Sequence, residues 1–249
     1  MATFNNFTNI LPDPTYGISY SGDSSASQTG FTLGPGYASV KFKSNQPYLK
    51  HLTNSGRLIA RTVAAQKWEI EITYNPMTRE DFEPIYTFLL QRQGPLNPFF
   101  VSLPQYEIPK NSSFATYSQT NNLTPDSSYA AGELIFMLEK VGYAPEGASG
   151  IPTPGDLFNI DSTTYSNHKK TYMVTRVETA STYQSGTAAP SSTQVKVHFI
   201  PSLQKSVVAS DEIIFYKPLI KVVLDSEIQE YSLNTNNLYT FSLKLQEVQ

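Results

Sequence analysis

The stretch KWEIEITYNPMTREDFEPIYTFLLQRQG, residues 67–94, constrains the fold most, because a strand pattern passes directly into a helix pattern. Its first part alternates between apolar and polar side chains, which predicts a half-buried strand over 67–74. Asn75-Pro76 ends that strand. Apolar residues then recur at helical spacing and predict one helix, over about 79–92, in a chain that otherwise shows little helical pattern. The apolar residues of the two elements are Trp68, Ile70, Ile72, Tyr74, Phe82, Ile85, Tyr86, Leu89 and Leu90.

Two residues are candidates for the N-cap of this helix, and the sequence leaves the choice open. With Asp81 as N-cap, Pro84 falls in the first turn, where its missing N–H has no consequence. With Thr78 as N-cap, a short turn precedes a small kink at the proline. In either case Gly94 and the prolines after it end the helix.

The rest of the chain is typical of strands separated by turns. Further strands are predicted at 38–43, 58–63, 99–103, 133–138, 156–160, 171–177, 194–200, 212–215, 219–224 and 239–246. The last of these, with Tyr239, Phe241 and Leu243 on one face, matches 67–74 in length and pattern, so the simplest arrangement pairs the two. The predicted organisation is an extended arm over 1–35, a domain from 36–110 and 226–249, and an inserted domain over 111–225.

Composition excludes several classes of function. Charged residues make up only 16% of the chain, below the roughly 25% of typical soluble domains, and abundant Tyr and Phe favour β structure. A net charge of −3 without a Lys/Arg run predicts no bulk affinity for nucleic acid. The absence of cysteine excludes disulfides and thiolate metal sites. No apolar run approaches the roughly 18 residues of a membrane span.

The three histidines give no recognisable metal site, because none of His51, His168 and His198 has a histidine one helical turn away. His168 stands beside two lysines in YSNHKKTYMV and is expected to be an exposed structural residue. His198 alternates with apolar residues and is expected on the outer face of its strand.

Two carboxylate pairs, Asp156 with Asp161 and Asp211 with Glu212, have the chemistry for glycoside hydrolysis. Asp156 and Asp211 each stand at a turn that enters a strand, which favours Asx turns over catalysis. Tyrosine-rich loops can stack on sugars, but tyrosine more often serves a core or a protein interface. The sequence therefore predicts no enzyme, no cofactor and no metal.

The segment RTVAAQKWEIEITYNPMTREDFEPIYTFLLQRQGPLNPFFVSLP resembles the strand–helix–strand segment of phage distal tail proteins and related baseplate ring or hub subunits. The shared features are a strand with arginine, a W-x-I-x-I strand, a threonine and acidic residues that open the helix, and a glycine followed by F-x-V. In this sequence they are Arg61, Trp68, Ile70, Ile72, Thr78, Glu80, Asp81, Gly94, Phe99 and Val101. Later motifs, GDLFNI, KTYMVT and VHFIPSL, are similar to the small barrel that many such proteins carry.

The resemblance implies a mainly β fold: a tail-tube-like split β-barrel with one α-helix, plus an inserted small β-barrel of OB or SH3 type. It implies a structural subunit of the phage tail tip, assembled in the host cytoplasm and carried in the virion. Copies would form a ring, usually a hexamer, that joins the tail tube to the baseplate hub and fibres and lines the DNA exit channel. Partners would be further copies, the tail tube protein, and hub, fibre or tape-measure proteins, with DNA only in transit and no membrane insertion. The alternative is a carbohydrate-binding or adhesin β-module for host attachment. The residues expected in the core or an interface are Trp68, Ile70, Ile72, Tyr74, Phe82, Ile85, Leu89, Phe99, Tyr239, Phe241 and Leu243.

Overall fold

The computed structural model of the chain describes residues 9–15, 34–62, 66–139, 150–162, 164–183, 188–226 and 230–248, and these form a mainly β structure. The strands are β1 (Tyr37–Asn45), β2 (Tyr48–Leu52), β3 (Leu58–Thr62), β4 (Lys67–Tyr74), β5 (Phe99–Ser102), β6 (Thr124–Pro125), β7 (Ile135–Glu139), β8 (Leu157–Asp161), β9 (Thr171–Glu178), β10 (Gln194–Ile200), β11 (Glu212–Ile214), β12 (Leu219–Leu224), β13 (Tyr231–Leu233) and β14 (Tyr239–Glu247). The helices are α1 (Arg79–Arg92) and α2 (Ser112–Thr120), with 3-10 turns at Gly94–Leu96 and Pro104–Tyr106.

The chain divides into two compact units, the first from Met1–Ser102 and Lys221–Val248, the second from Leu103–Ile220. One sheet is nearly closed into a barrel and another is a half-barrel, so the expected fold class is confirmed.

The first unit is built on a sheet in which early and late strands pair, in the order β1-β4-β14-β12-β5, with β13 also beside β14. Ile72 of β4 stands opposite Val40 of β1 on one side and Leu243 of β14 on the other, both antiparallel. Every second residue of β4 is buried. The strand predicted at 67–74 and its pairing with the last strand are therefore confirmed.

Residues 9–15 cover the β5 edge of this sheet. Phe100 of β5 exchanges two backbone hydrogen bonds of 2.8 Å with this segment, and Leu11 is fully buried. The N–H of Gly34 donates to the carbonyl of Asp13 at 3.0 Å. A Cβ on Gly34 would lie 2.5 Å from the carbonyl carbon of Pro12, so glycine is required for this close approach. Most of the arm predicted over 1–35 lies outside the described residues.

Helix α1 has the predicted bounds, and its N-cap is Thr78. The Thr78 hydroxyl donates to the carboxylate of Asp81 at 2.9 Å and makes no bond to the helix backbone. Pro84 therefore lies inside the helix rather than in the first turn. Glu80 and Asp81 place negative charge in that first turn, where it complements the helix dipole.

The buried face of α1 differs from the predicted stripe. Leu90 is exposed and Tyr86 is only half-buried, whereas Phe88 is fully buried. The Phe88 ring packs edge to face on Phe99 at 5.4 Å, so the buried side of the helix includes Phe88 and excludes Leu90. The buried residues are Phe82, Pro84, Ile85, Phe88 and Leu89.

The second unit holds a six-stranded sheet in the order β11-β8-β9-β10-β7-β6. Its two ends meet, because the N–H of Ile213 in β11 donates to the carbonyl of Leu123, just before β6, at 2.8 Å. The interior is strongly aromatic. Its fully buried rings are Phe114, Phe136, Phe158, Tyr172, Phe199 and Phe215.

Helix α2 is not predicted by the sequence, and neither are β2, β6 and β13. The residues of α2, SSFATYSQT, include few strong helix formers. Asn111 compensates as N-cap, since its side chain accepts the N–H groups of Ser113 and Phe114 at 3.1 and 3.2 Å. Phe114 then packs edge to face on Phe215 at 5.1 Å. Packing and capping thus decide the conformation, where propensity alone is weak.

Candidate assembly surfaces

The residues predicted for a core or interface lie together in the core of the first unit. All of them are buried except Tyr239, which is half-buried. Phe82 stacks on the Tyr239 ring at 4.6 Å and meets Phe241 edge to face at 5.7 Å, while Tyr74 stacks on Phe241 at 6.1 Å. Because these side chains pack on one another, any surface used for assembly must come from other residues.

His168 is buried, contrary to the expectation of an exposed residue. Its Nε2 lies 2.7 Å from the hydroxyl of Tyr172 in β9, and that hydroxyl accepts the N–H of Gln204 at 3.0 Å. Burial, and secondarily the charge of Lys205, lowers the pKa of His168 to about 4. The imidazole is therefore neutral at pH 7 and serves the packing of the second unit. His198 is half-buried on the face of β10 away from the core, as expected.

Asp156 and Asp211 close turns. The Asp156 carboxylate accepts the N–H groups of Thr153 and Lys110 at 2.7 and 3.1 Å, and that of Asp211 accepts the N–H of Val208 at 3.0 Å. Each aspartate thus bonds to the N–H three residues earlier, the reverse direction from an Asx turn. No three His, Asp or Glu side chains among the described residues are grouped to hold a metal ion. Of the helices that the structure describes, none has the length and hydropathy of a membrane span.

The polar face of the first sheet carries an ordered set of charges. Glu71 stands between Lys41 of β1 and Lys244 of β14, and Glu69 stands opposite Lys43 of β1. The Nζ of Lys41 lies 3.2 Å from Glu71 Oε2, and that of Lys43 lies 3.7 Å from the same oxygen. The hydrogen bond from Lys41, together with its charge, lowers the pKa of Glu71. We call these five residues the charged face; its acidic and basic groups largely offset one another.

Strand β1 forms an unfinished edge of the same sheet. Among the described strands it pairs only with β4, so one side of its backbone has no neighbouring strand. Its apolar side chains Val40 and Phe42 share the face of the core yet are only half-buried. Phe42 stacks on Trp68 of β4 at 4.6 Å. An edge of this kind is a template for association with another chain.

Strands β2 and β3 form a hairpin, residues 48–62, which pairs with none of the other described strands. Its residues are exposed along β2 and over 58–61 of β3. A two-stranded hairpin is only marginally stable alone in water. Large apolar side chains are nevertheless more than half exposed along it: Tyr48, Leu49, Leu52, Leu58 and Ile59. Such a patch marks a surface for association.

Comparisons with known proteins bear on these surfaces. Residues 27–106, which include β1, the hairpin, β4, α1 and β5, match the family model described as distal tail protein pb9, A domain, N-terminal. The chain is also 23% identical over 216 residues to distal tail protein pb9 of Escherichia phage T5, covering 86% of this chain and 93% of that protein. The resemblance to phage distal tail proteins that the motifs indicate is confirmed, and it extends over most of the chain.

Proposed function

We propose that this chain, which resembles phage distal tail proteins, is a structural subunit of a phage tail tip and acts by forming a ring. Its similarity to a distal tail protein supports a structural role in a phage tail, and hence a place in the virion. The ring, taken as a hexamer, joins the tail tube to the baseplate hub and fibres and surrounds the DNA exit channel. The proposal requires no catalytic step and no cofactor.

The unfinished β1 edge is the observation that carries this proposal. The opposite edge of the sheet, β5, is already covered by residues 9–15 of the same chain. One open edge with half-buried Val40 and Phe42 favours association with a neighbouring copy through two different surfaces. Association of that kind is head-to-tail, and it produces a closed ring when the rotation between neighbours divides a full turn.

The charged face suits the wall of a channel through which DNA passes. Lys41 and Lys43 both approach Glu71, and across the whole face two glutamates offset all but one of the three lysine charges. A wall of unpaired lysines would hold the phosphate backbone by releasing its counterions, whereas a wall of unpaired carboxylates would repel it. We propose that the charged face lines the channel and lets DNA pass without lasting contact.

The second unit has no part in closing the ring in this proposal. Its sheet is closed on itself through Leu123 and Ile213 and offers no long unfinished edge among the described residues. We propose that it corresponds to the insertion expected over 111–225 and binds other baseplate proteins or fibres.

Imaging and mass measurement of the purified chain test the ring. We expect annuli with a central hole by negative-stain electron microscopy, and a solution mass that is a fixed multiple of the 27.7 kDa chain. A species that stays a single chain, even when the tail tube protein is added, would refute the proposal. Retention of such a single chain on a glycan column would favour the adhesin alternative.

A further inference from the structure

We infer that the hairpin of one copy binds a surface on the next copy formed by α1 and β13, so that each contact in the ring joins a basic apolar element to an acidic aromatic one. This inference rests on the proposed ring. It assigns the two partner surfaces, which neither the sequence motifs nor the similarity to other tail proteins identifies.

The hairpin is basic as well as apolar. Lys50, Arg57 and Arg61 lie within residues 48–62, which contain no Asp or Glu. Lys50 and Arg57 are exposed, and so is Arg61. No ion pair joins any of the three to an acidic residue among the described parts of the chain. The element therefore presents an apolar surface within an uncompensated positive field, which favours a partner that is apolar and acidic.

The α1–β13 surface has the complementary chemistry. The ring of Tyr231 in β13 packs against Phe82 at 5.0 Å and Tyr86 at 5.5 Å, which joins the strand and the helix into one surface. Tyr231 and Leu233 are about half exposed, and β13 pairs only with β14 among the described strands. This surface thus offers exposed apolar side chains beside a free strand edge.

Acidic residues lie in the same two elements, or directly beside them in sequence. Glu80, Asp81 and Glu83 are exposed in the first turns of α1, and Glu230 is exposed directly before β13. Arg79 offsets one of these charges through its 2.5 Å ion pair with Glu83. The three acidic charges that remain on the α1–β13 surface are equal in number and opposite in sign to those of the three basic residues of the hairpin.

A second copy is the occupant that these features favour. Both surfaces lie on the same chain, are exposed, and differ from each other, which is the requirement for a head-to-tail contact that can repeat around a ring. DNA is a poorer fit to the hairpin, because interfaces with DNA are polar and strongly charged, whereas this element carries five large apolar side chains for its three cations. Aromatic and arginine side chains are enriched in protein–protein contacts.

Charge reversal on full-length chains tests the contact. One variant combines Arg57→Glu with Arg61→Glu, and the other combines Glu80→Lys with Glu230→Lys. Each change is at an exposed side chain without a described partner, so we expect both variants to fold, with Glu80→Lys losing only the small stabilisation that an acidic residue gives the first turn of α1. Each variant alone should need a protein concentration at least about tenfold higher to form annuli, since like charges then face one another.

Mixing the two variants in equal amounts supplies the matched control. Each acidic hairpin then meets a lysine-bearing α1–β13 surface, and each unchanged hairpin meets an unchanged surface. Assembly should return to wild-type concentrations, as rings in which the two variants alternate and whose subunit number is even. Failure of the mixture to assemble better than either variant would overturn the inference.

The outcomes separate the inference from the proposed function. If the wild type forms annuli and Arg57→Glu/Arg61→Glu forms them at the same concentration, the hairpin contact is wrong and the ring stands. If that variant assembles normally but binds duplex DNA less tightly than the wild type does, the hairpin serves DNA, and the inference is again overturned. If the wild type forms no annuli, both the ring and the hairpin contact are refuted.

Discussion

Acid should destabilise the second unit through His168, and the size of the effect follows from the structure. The Tyr172 hydroxyl accepts the N–H of Gln204 and lies 2.7 Å from Nε2 of His168, so it can donate its own proton to that nitrogen. Nε2 is then an acceptor, and the neutral ring carries its proton on Nδ1. Protonation would place a second N–H against the hydroxyl and a positive charge in the interior, where Lys205 and Lys169 oppose it. The negative charge of Asp211 offsets the effect of burial and of the two lysines only in part.

The magnitude comes from the difference between folded and unfolded chains. In the unfolded chain His168 takes up a proton near its ordinary pKa of 6.5, whereas in the folded chain it does so only near 4. Between these values the unfolded state binds more protons, so the stabilisation is complete above 6.5 and is lost as pH falls toward 4. At ~1.4 kcal/mol per pKa unit, the free energy of unfolding should fall by about 2 kcal/mol between pH 7.5 and 5, and by about 3 kcal/mol by pH 4.

Native-state hydrogen exchange measured on peptides of β9 and β10 reports on the second unit directly, and peptides of β4 provide an internal reference from the first unit. The variant His168→Gln keeps an acceptor for Tyr172 and removes the titration. This variant should be less stable than the wild type at pH 7.5. Between pH 7.5 and 5, however, its free energy of unfolding should fall by about 2 kcal/mol less than that of the wild type. The matched control is His51→Gln on the exposed hairpin, which should keep the wild-type slope. If the free energy of unfolding changes with pH in the same way for the wild type and for His168→Gln, the reasoning is refuted.

Three further predictions concern the first unit, and thermal and urea unfolding measure each. Gly34→Ala should lower the free energy of unfolding by about 1–3 kcal/mol and expose residues 9–15 to protease, because the new Cβ would lie 2.5 Å from the backbone of Pro12. The control is Gly36→Ala, whose Cβ would meet its nearest atom at 3.7 Å. Equal stability of the two variants would contradict the close approach. Glu247→Ala should cost about 1–3 kcal/mol, because the buried Glu247 carboxylate accepts the N–H of Trp68 at 3.1 Å, and Glu247→Gln should cost less. Trp68→Ala should cost about 3–5 kcal/mol, since the ring is buried and stacked, and an unchanged midpoint would show that it does not belong to the core.

The elements that the sequence predicts well are those whose conformation is determined by their own residues. β4 has four apolar residues in strict alternation, and every one of them is buried. α1 ends where predicted because Gly94 follows it, and both Gln93 and Gly94 adopt positive φ, 54° and 67°, as a helix C-terminus requires. In both cases the local pattern and the tertiary packing agree, so the pattern suffices.

The elements that sequence misses depend on partners distant along the chain. Helix α2 is stabilised by the packing of Phe114 on Phe215, which lies about a hundred residues later in the chain. The buried His168 contacts the hydroxyl of Tyr172, which in turn accepts the N–H of Gln204, a residue beyond the end of β10. The pattern over 58–63 predicts a strand correctly through Thr62, with Val63 outside the described residues, but it cannot show that the apolar residues of that strand meet no core.

The difference between the two edges of the first sheet is consistent with a chain that avoids uncontrolled aggregation and still builds the ring proposed above. A chain that left both β1 and β5 unpaired would present two strand edges able to pair with other chains, and such pairing can continue without limit. A chain that covered both would have no edge with which to join its neighbours. Here residues 9–15 cover β5 through paired backbone hydrogen bonds, while no described strand covers the outer edge of β1 or pairs with the hairpin that follows it. Because the open edge and the hairpin adjoin in sequence, one neighbour can engage both at once, which fixes the angle between successive copies. Head-to-tail association through unlike surfaces closes on itself when that fixed angle divides a full turn, and otherwise it continues as a filament.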